Sequence, residues 1–456
     1  MMNLDKYLAK LSALKVAPKG DKCVSILKAK GRVLSENITC KIPIPRFDNS
    51  AMDGYAVRFE RGTNPYKSYK IKGSIFAGDS REYILQKNDS FAIMTGAKVP
   101  KNCDCVVQKE KVEIQGERVI LRDTPQKNQC IKFCGEDFKK GEILLKKGAV
   151  LDSNAIGILA TQGISKVRVK KRVQIIIFGS GNEIAPLDSP LKNNQIYDIN
   201  SHFIRANFGN LNCKIKYGGI LGDSHKTLES ALKKAAQKYD IIITSGGVSV
   251  GEKDYIHAVL GKMGAEILTD GINIKPGRPV VLSRYESTKC KGRESNANLN
   301  ANFNTNRGAD FRANLNVNRN ESFILSLPGN PIGAFLQSYF CLPILVAKFS
   351  GIKFKDFDSL LQSTEMPNGA DFKATKKTAH IMLGNVRDSQ FFAFNGGKYQ
   401  GAQVAPLLKS SALAIIQNKD FVQKGKMIRI LPYKVRFNNP KDSYKSRKIQ
   451  STKLSK

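Results

Sequence analysis

Three kinds of residue in this sequence have types and spacings suited to chemistry: loop carboxylates, a glycine turn, and two cations on a proline–glycine bend. The turn is Thr244-Ser245-Gly246-Gly247-Val248-Ser249-Val250-Gly251. Apolar Ile241-Ile242-Ile243 precedes it; Glu252, Asp254 and the apolar-periodic Ile256, Val259 and Leu260 follow. That pattern reads as strand, loop, helix. A glycine loop there leaves backbone N–H groups at a helix N-terminus, where the helix dipole adds partial positive charge, so it suits a phosphate or another anion. Downstream, Lys275-Pro276-Gly277-Arg278-Pro279 sets two cations on a rigid bend. Glu183, Asp223 and Asp254 complete the set. Taken singly, each carboxylate reads as readily as a helix cap or a first-turn acid.

Bringing these residues together requires a sheet whose loops share one edge. From Val173 the sequence alternates between strand and helix patterns. Strands are expected over 173–178 and 214–221 and from Ile241, with a turn at 179–181. Helices are expected over 200–208 and from a Ser224 cap through Ala236. Such alternation implies a mostly parallel, doubly wound sheet, and its ligands bind at the carboxyl ends of the strands. Glu183, Asp223 and Asp254 all fall in loops at those ends.

Around this α/β unit the texture changes. Leu4, Leu8, Leu11 and Leu14 make one helical face, and Asp21 is expected to cap a second helix ending near Gly31. Residues 42–144 are rich in Pro, Gly and short alternating runs, with a hairpin over 112–121. Asp152 and Ser153 cap a helix through Ala160, and 167–171 reads as a strand. Residues 294–320 are Asn-rich and of low complexity, an inserted loop between strands at 280–283 and 323–327. Short apolar runs after Gly351 indicate a small β domain, and the tail from Asn438 is basic and polar.

Composition bounds the function. The chain has 456 residues, 41% hydrophobic and 25% charged, which fits a globular protein of about three domains. No uninterrupted apolar run reaches the roughly 20 residues of a spanning helix. The charged start, Met1-Met2-Asn3-Leu4-Asp5-Lys6, is unlike a signal peptide, so the cytoplasm is expected. Nine scattered cysteines and four histidines show no zinc spacing. The net charge of +35 suits either nucleic acid or small anionic ligands. Lys and Arg are spread along the chain and no nucleic-acid-binding motif appears, which favours small anions over specific nucleic acid.

Five motifs stand in order: Ser50-Ala51-Met52-Asp53-Gly54-Tyr55-Ala56-Val57; Met94-Thr95-Gly96; Gly135-Glu136-Asp137; the turn at 244–255 with Lys275-Pro276-Gly277; and Leu327-Pro328-Gly329-Asn330-Pro331. Together they resemble the molybdopterin molybdenumtransferase family, of the bacterial MoeA and gephyrin E-domain type. The resemblance runs from about residue 31 to 431, apart from the Asn-rich insertion.

The resemblance implies insertion of molybdenum from molybdate into adenylylated molybdopterin, with Mg²⁺-dependent hydrolysis and release of AMP. It implies an elongated homodimer with the active site between subunits. Molybdopterin adenylyltransferase and molybdoenzyme maturation proteins are expected partners; a membrane is not. Asp53, Thr95, Glu183, Asp223 and Asp254 match functional positions, as does Asp137. Pro328 and Pro331 match the molybdate-side loop. Mg²⁺, a hard cation, would take Asp223 and Asp254; Lys275 and Arg278 would neutralise phosphate and molybdate; Ser245, Gly246 and Gly247 would approach the pterin phosphate. The implied organisation is a helical linker domain (1–41 with 145–171), a β-rich domain (42–144), an α/β domain (172–350, insertion 288–322), a small β domain (351–437) and a tail (438–456).

The sequence departs from the family at Asn182, where an Asp is usual, at Thr269-Asp270-Gly271, at Lys376-Lys377-Thr378-Ala379-His380 and at Val404-Ala405-Pro406-Leu407-Leu408. Two other readings share parts of the pattern. An adenylyltransferase shares the central sheet and its Ser-Gly-Gly turn, and a gephyrin-like scaffold would dimerise and hold partner peptides.

Overall fold

The structure, a computed structural model, describes residues 1–58, 66–247, 253–288 and 319–433. Most of the Asn-rich insertion and the basic tail lie outside these residues.

The centre is a six-stranded sheet. In chain order its strands are β1 (Val173–Ser180), β2 (Cys213–Leu221), β3 (Ile241–Ser245), β4 (Glu266–Asp270), β5 (Val281–Thr288) and β6 (Arg319–Leu327), arranged β2-β1-β3-β6-β5-β4. The pairings among β2, β1, β3 and β6 are parallel, whereas β5 and β4 run antiparallel. Alternation along each strand feeds two cores. Ile175, Ile177, Ile241, Ile243, Phe323 and Leu325 face one side; Ile176, Phe178, Ile242 and Ile324 face the other. A strand apolar on both faces must be covered on both.

Five helices flank this sheet: α1 (Leu4–Ala13), α2 (Ile199–Phe208), α3 (His225–Ala236), α4 (Lys253–Met263) and α5 (Pro331–Phe349). The cores put α1, α2 and α5 on one face and α3 and α4 on the other. α5 corrects one expectation. It is long and apolar enough to cross a membrane by length and composition, because Gln337, Ser338 and Tyr339 interrupt the run without making it polar. Here it is the core helix, buried along nearly its whole length.

Residues 21–31 also differ from expectation. Asp21–Ser25 is a strand paired antiparallel with Lys166–Lys170, and only Ile26–Lys28 forms a short 3₁₀ turn. The Asp21 carboxylate accepts from Ser35 and Lys170 rather than capping a helix. Cys23, Val24 and Ser25 are weak helix formers, so the available partner strand wins. The expected helix after Asp152 is present at Ser153–Thr161, with Ala155 N–H donating to the Asp152 side chain at 2.8 Å.

In the β-rich region, Gly54–Val57 and Asp89–Ile93 are antiparallel neighbours with Gly54 opposite Ile93. That register puts Asp53 and Thr95 at the same end of the sheet. The expected hairpin forms from Val112–Gln115 and Arg118–Leu121. The last domain is a sheet whose edge is Ile274–Lys275, paired in parallel with Ala379–Arg387. The Lys-Pro-Gly bend is therefore tied to the C-terminal domain, whose Ile381, Leu383, Leu413 and Ile415 share a core with α5.

Candidate active site

The loops after β1, β2, β3 and β6 meet at the carboxyl edge of the parallel strands. They enclose a cleft of about 310 Å³ lined by Ser180, Gly181, Glu183, Asp223, Gly246, Gly247, Pro279, Pro328, Gly329 and Asn330. Neighbouring parallel strands deliver their loops to one edge, which is why residues over a hundred positions apart share this cleft.

Two glycines shape it. Gly246 has φ +106°, and a Cβ there would stand 2.3 Å from the Ser180 carbonyl oxygen, so only glycine lets the two turns close. Its N–H donates to the Leu327 carbonyl at 3.1 Å and is therefore engaged within the sheet rather than offered to an anion. Gly181 has φ +129°, and the Glu183 carboxylate lies folded over it, 2.4 Å from where a Cβ would be. Asp223 Oδ2 accepts from Asn182 N–H at 3.3 Å. Residue 182 thus works through its backbone, which either Asn or Asp supplies.

The structure gathers Glu183, Asp223, Gly246, Gly247 and Pro328 in this cleft. Ser245 ends β3 directly behind it, buried. Pro331 starts α5 just outside the lining, with Asn330 capping the helix through Gly333 N–H at 2.7 Å. Lys275 and Arg278 are exposed and do not line the cleft, although Pro279 of the same loop does. Lys275, on the edge strand, is the parallel register partner of His380 on the neighbouring strand of the same sheet. Burial, and then the Lys275 charge, lower the His380 pKa. Asp254 is the second residue of α4; its side chain and residues 248–252 lie outside the described residues.

Asp53 and Thr95 form a separate pair. Thr95 donates its backbone N–H (2.8 Å) and its hydroxyl (2.7 Å) to Asp53 Oδ1, and Lys109 Nζ stands 3.8 Å from Oδ2. The two Thr95 bonds, backbone first, and then Lys109 hold the Asp53 carboxyl below the usual carboxylate range. Among the described residues, no hydrogen bond or ion pair links this pair to Glu183 or Asp223. Asp137 is exposed on the loop that joins the same domain end, where its N–H donates to the Ile44 carbonyl.

Among the described residues, no group of three or more His, Cys, Asp or Glu side chains is gathered to hold a metal ion. The hard oxygen donors of the cleft, Glu183 and Asp223, do fit a cation that keeps most of its water and shares one or two carboxylates with ligand phosphates.

Residues 2–163 match the family profile described as the MoeA N-terminal region (domain I and II), and residues 176–345 match the probable molybdopterin binding domain. The molybdopterin molybdenumtransferase of Haemophilus influenzae is 31% identical over 354 residues, covering 77% of this chain and 79% of that one. The chain belongs to the molybdopterin molybdenumtransferase family. The family's enzyme from Nostoc sp. is 27% identical across 90% of this chain and 88% of its own. The fold agrees: the crystal structure of a molybdopterin biosynthesis MoeA protein from Pyrococcus horikoshii superposes with a TM-score of 0.70 at 21% identity, over 95% of this chain and all of that one. The profile match over residues 2–163 separates this family member from an enzyme built on the central sheet alone.

One contact behind the cleft lining was not legible in the sequence: Asn200, in the first turn of α2, donates to both Ser245 Oγ and the Gly329 carbonyl. Its only sequence signal is its place two residues after the Asp198 cap of the helix that follows β1.

Proposed function

We propose that this chain is a molybdopterin molybdenumtransferase that inserts molybdenum from molybdate into adenylylated molybdopterin, hydrolysing the phosphoanhydride and releasing AMP. The observation that carries the reading is the cleft itself. Two carboxylates, Glu183 and Asp223, face two glycines and the Pro328 loop at the carboxyl edge of adjacent parallel strands. The glycine backbone admits the phosphate closely, and Asn182 N–H fixes the Asp223 carboxylate. The Glu183 carboxylate, seated over Gly181, is the acceptor suited to orienting the attacking water. Asp223, with Asp254 from the start of α4, would hold Mg²⁺. When bound, that cation supplies charge neutralisation at the phosphate. Lys275 and Arg278, exposed beyond the Pro279 rim, suit the approach of molybdate and phosphate.

The active unit in this reading is a homodimer. Asp53 and Thr95 lie apart from the cleft within one chain. Each half is bordered by exposed apolar side chains: Phe47, Met52 and Phe133 beside Asp53, and Leu187, Ile196 and Tyr197 beyond Glu183. A two-fold pairing would cover both borders and supply Asp53 of the partner subunit to each cleft. The eight described cysteines carry free thiols, which suits the cytoplasm.

The test is incubation with adenylylated molybdopterin, molybdate and Mg²⁺, following AMP. Asp223→Asn keeps size and turn chemistry but removes a charge. AMP release is expected to fall about a hundredfold while substrate binding by calorimetry stays within about tenfold. Full activity of Asp254→Asn would return that residue to a helix-cap role.

A further inference from the structure

We propose that Asn200 is the positioning residue of the cleft. It ties the Leu-Pro-Gly loop to the Ser-Gly-Gly turn and sets the Ser245 hydroxyl as a donor toward the anionic ligand. Asn200 is buried, 9% exposed, and stands where the loops after β1, β3 and β6 converge. Its Nδ2 donates to the Gly329 carbonyl at 2.7 Å and to Ser245 Oγ at 2.9 Å.

The direction of these bonds follows from the partners. A backbone carbonyl only accepts, so the amide end beside Gly329 must be the NH₂ group. An NH₂ group has two hydrogens, and the two contacts use both. Ser245 Oγ is then an acceptor toward Asn200, and its own hydrogen is turned elsewhere. Among the described residues, the Ser245 hydroxyl has no acceptor of its own. It belongs to the last residue of β3, immediately before Gly246 and Gly247, which line the cleft. A buried O–H with an unfilled donor role, next to a turn that admits phosphate, is suited to an anionic oxygen.

The frame that holds Asn200 is rigid. Asp198 caps α2 by accepting from Ser201 N–H at 3.0 Å, which fixes the first turn and with it the Asn200 side chain. Gly329 precedes Asn330, which caps α5. One amide therefore couples the first turn of α2 and the residue before the α5 cap to the end of the central strand. A drift of the Pro328 loop away from Ser245 would break one of its two bonds.

This assignment rests on the activity proposed above. Its test compares wild type, Asn200→Asp, Ser245→Ala and the double variant. Adenylylated molybdopterin binding is measured by calorimetry, AMP release by kinetics, and folding by thermal unfolding. An aspartate in place of Asn200 has the same shape but no N–H: it faces the Gly329 carbonyl as a second acceptor and draws the Ser245 hydrogen to itself. Binding is expected to weaken about tenfold or more in each single variant, the loss of a hydrogen bond to a charged ligand. In the Ser245→Ala background, Asn200→Asp should weaken binding by clearly less than it does in the wild-type background, because only the tie to the Gly329 carbonyl is then left to lose. A residue that only holds the fold would lower Tm and show no such coupling in binding.

Binding within twofold of wild type in a folded Asn200→Asp protein overturns the assignment. So does a loss that persists in full without the Ser245 hydroxyl. If the aspartate variant fails to fold, Asn200→Ala, which removes the donors without adding charge, is judged by the same criteria. A wild-type chain that neither binds the adenylylated pterin nor releases AMP overturns the activity reading together with this one. Wild-type activity with unaffected variants overturns only the role of Asn200.

Discussion

At the scale of single residues, the cleft depends on side chains that are absent as much as on those present. Gly181 leaves the space that the Glu183 carboxylate occupies. Gly181→Ala must push that carboxylate away and also take a φ that alanine disfavours, at a cost of about 1–3 kcal/mol. The expected outcome is a kcat for AMP release at least about tenfold lower, as for a displaced general base, with a smaller change in substrate Kd. Steady-state kinetics beside calorimetry separates the two, and an unchanged kcat would remove Glu183 from the chemistry. Glu183 and Asp223 are readable as site residues because they fall at predicted strand ends. The position of Lys275 is less readable. Its charge points to anions, yet it lies on a bend paired to another domain, and only the three-dimensional register reveals His380 beside it.

At the scale of elements, what is legible in the sequence is what is apolar on two faces or signalled by a cap. β1 and β3, the Asp152-capped helix and the hairpin at 112–121 all announce themselves by local pattern. Asp21–Ser25 does not, because its partner Lys166–Lys170 lies some 140 residues away and no local signal encodes that pairing. The two-residue strands Ile184–Ala185 and Ile196–Tyr197 are likewise too short to carry a period. The strands β5 and β6 support a prediction of their own. They pair antiparallel to their very ends, with Thr288 opposite Arg319. The segment between them, residues 289–318, closes a gap that a two-residue Asn-Gly turn spans. Replacing it by that turn should leave AMP release within about twofold and raise stability by up to about 2 kcal/mol, since loop closure costs about 0.6 kcal/mol per doubling of length and the loop shortens by nearly four doublings. A folded replacement with a large loss of activity would assign the insertion a function.

At the scale of the whole molecule, the separation of Asp53 and Thr95 from Glu183 and Asp223 makes the dimer testable by complementation. Asp53→Asn and Asp223→Asn chains should each be inactive alone. Mixed as unfolded chains and refolded together, they should regain about a quarter of wild-type activity, because half of the dimers are mixed and each mixed dimer has one intact site. No recovery would mean that each site is complete within one chain. The same scale sets a schedule for synthesis. The apolar face of α1, with Tyr7 against Cys341, is covered by α5, and Lys348 Nζ also donates to the Ser12 carbonyl. The ten residues of α1 are too few to hold a helix alone in water. At about 5–20 residues per second, the ribosome delivers α5 roughly 20–70 s after α1 has been made. For that interval α1 stays uncovered, within reach of chaperones and proteases. Any nascent chain that stalls before residue 349 lacks part of the helix that covers this face.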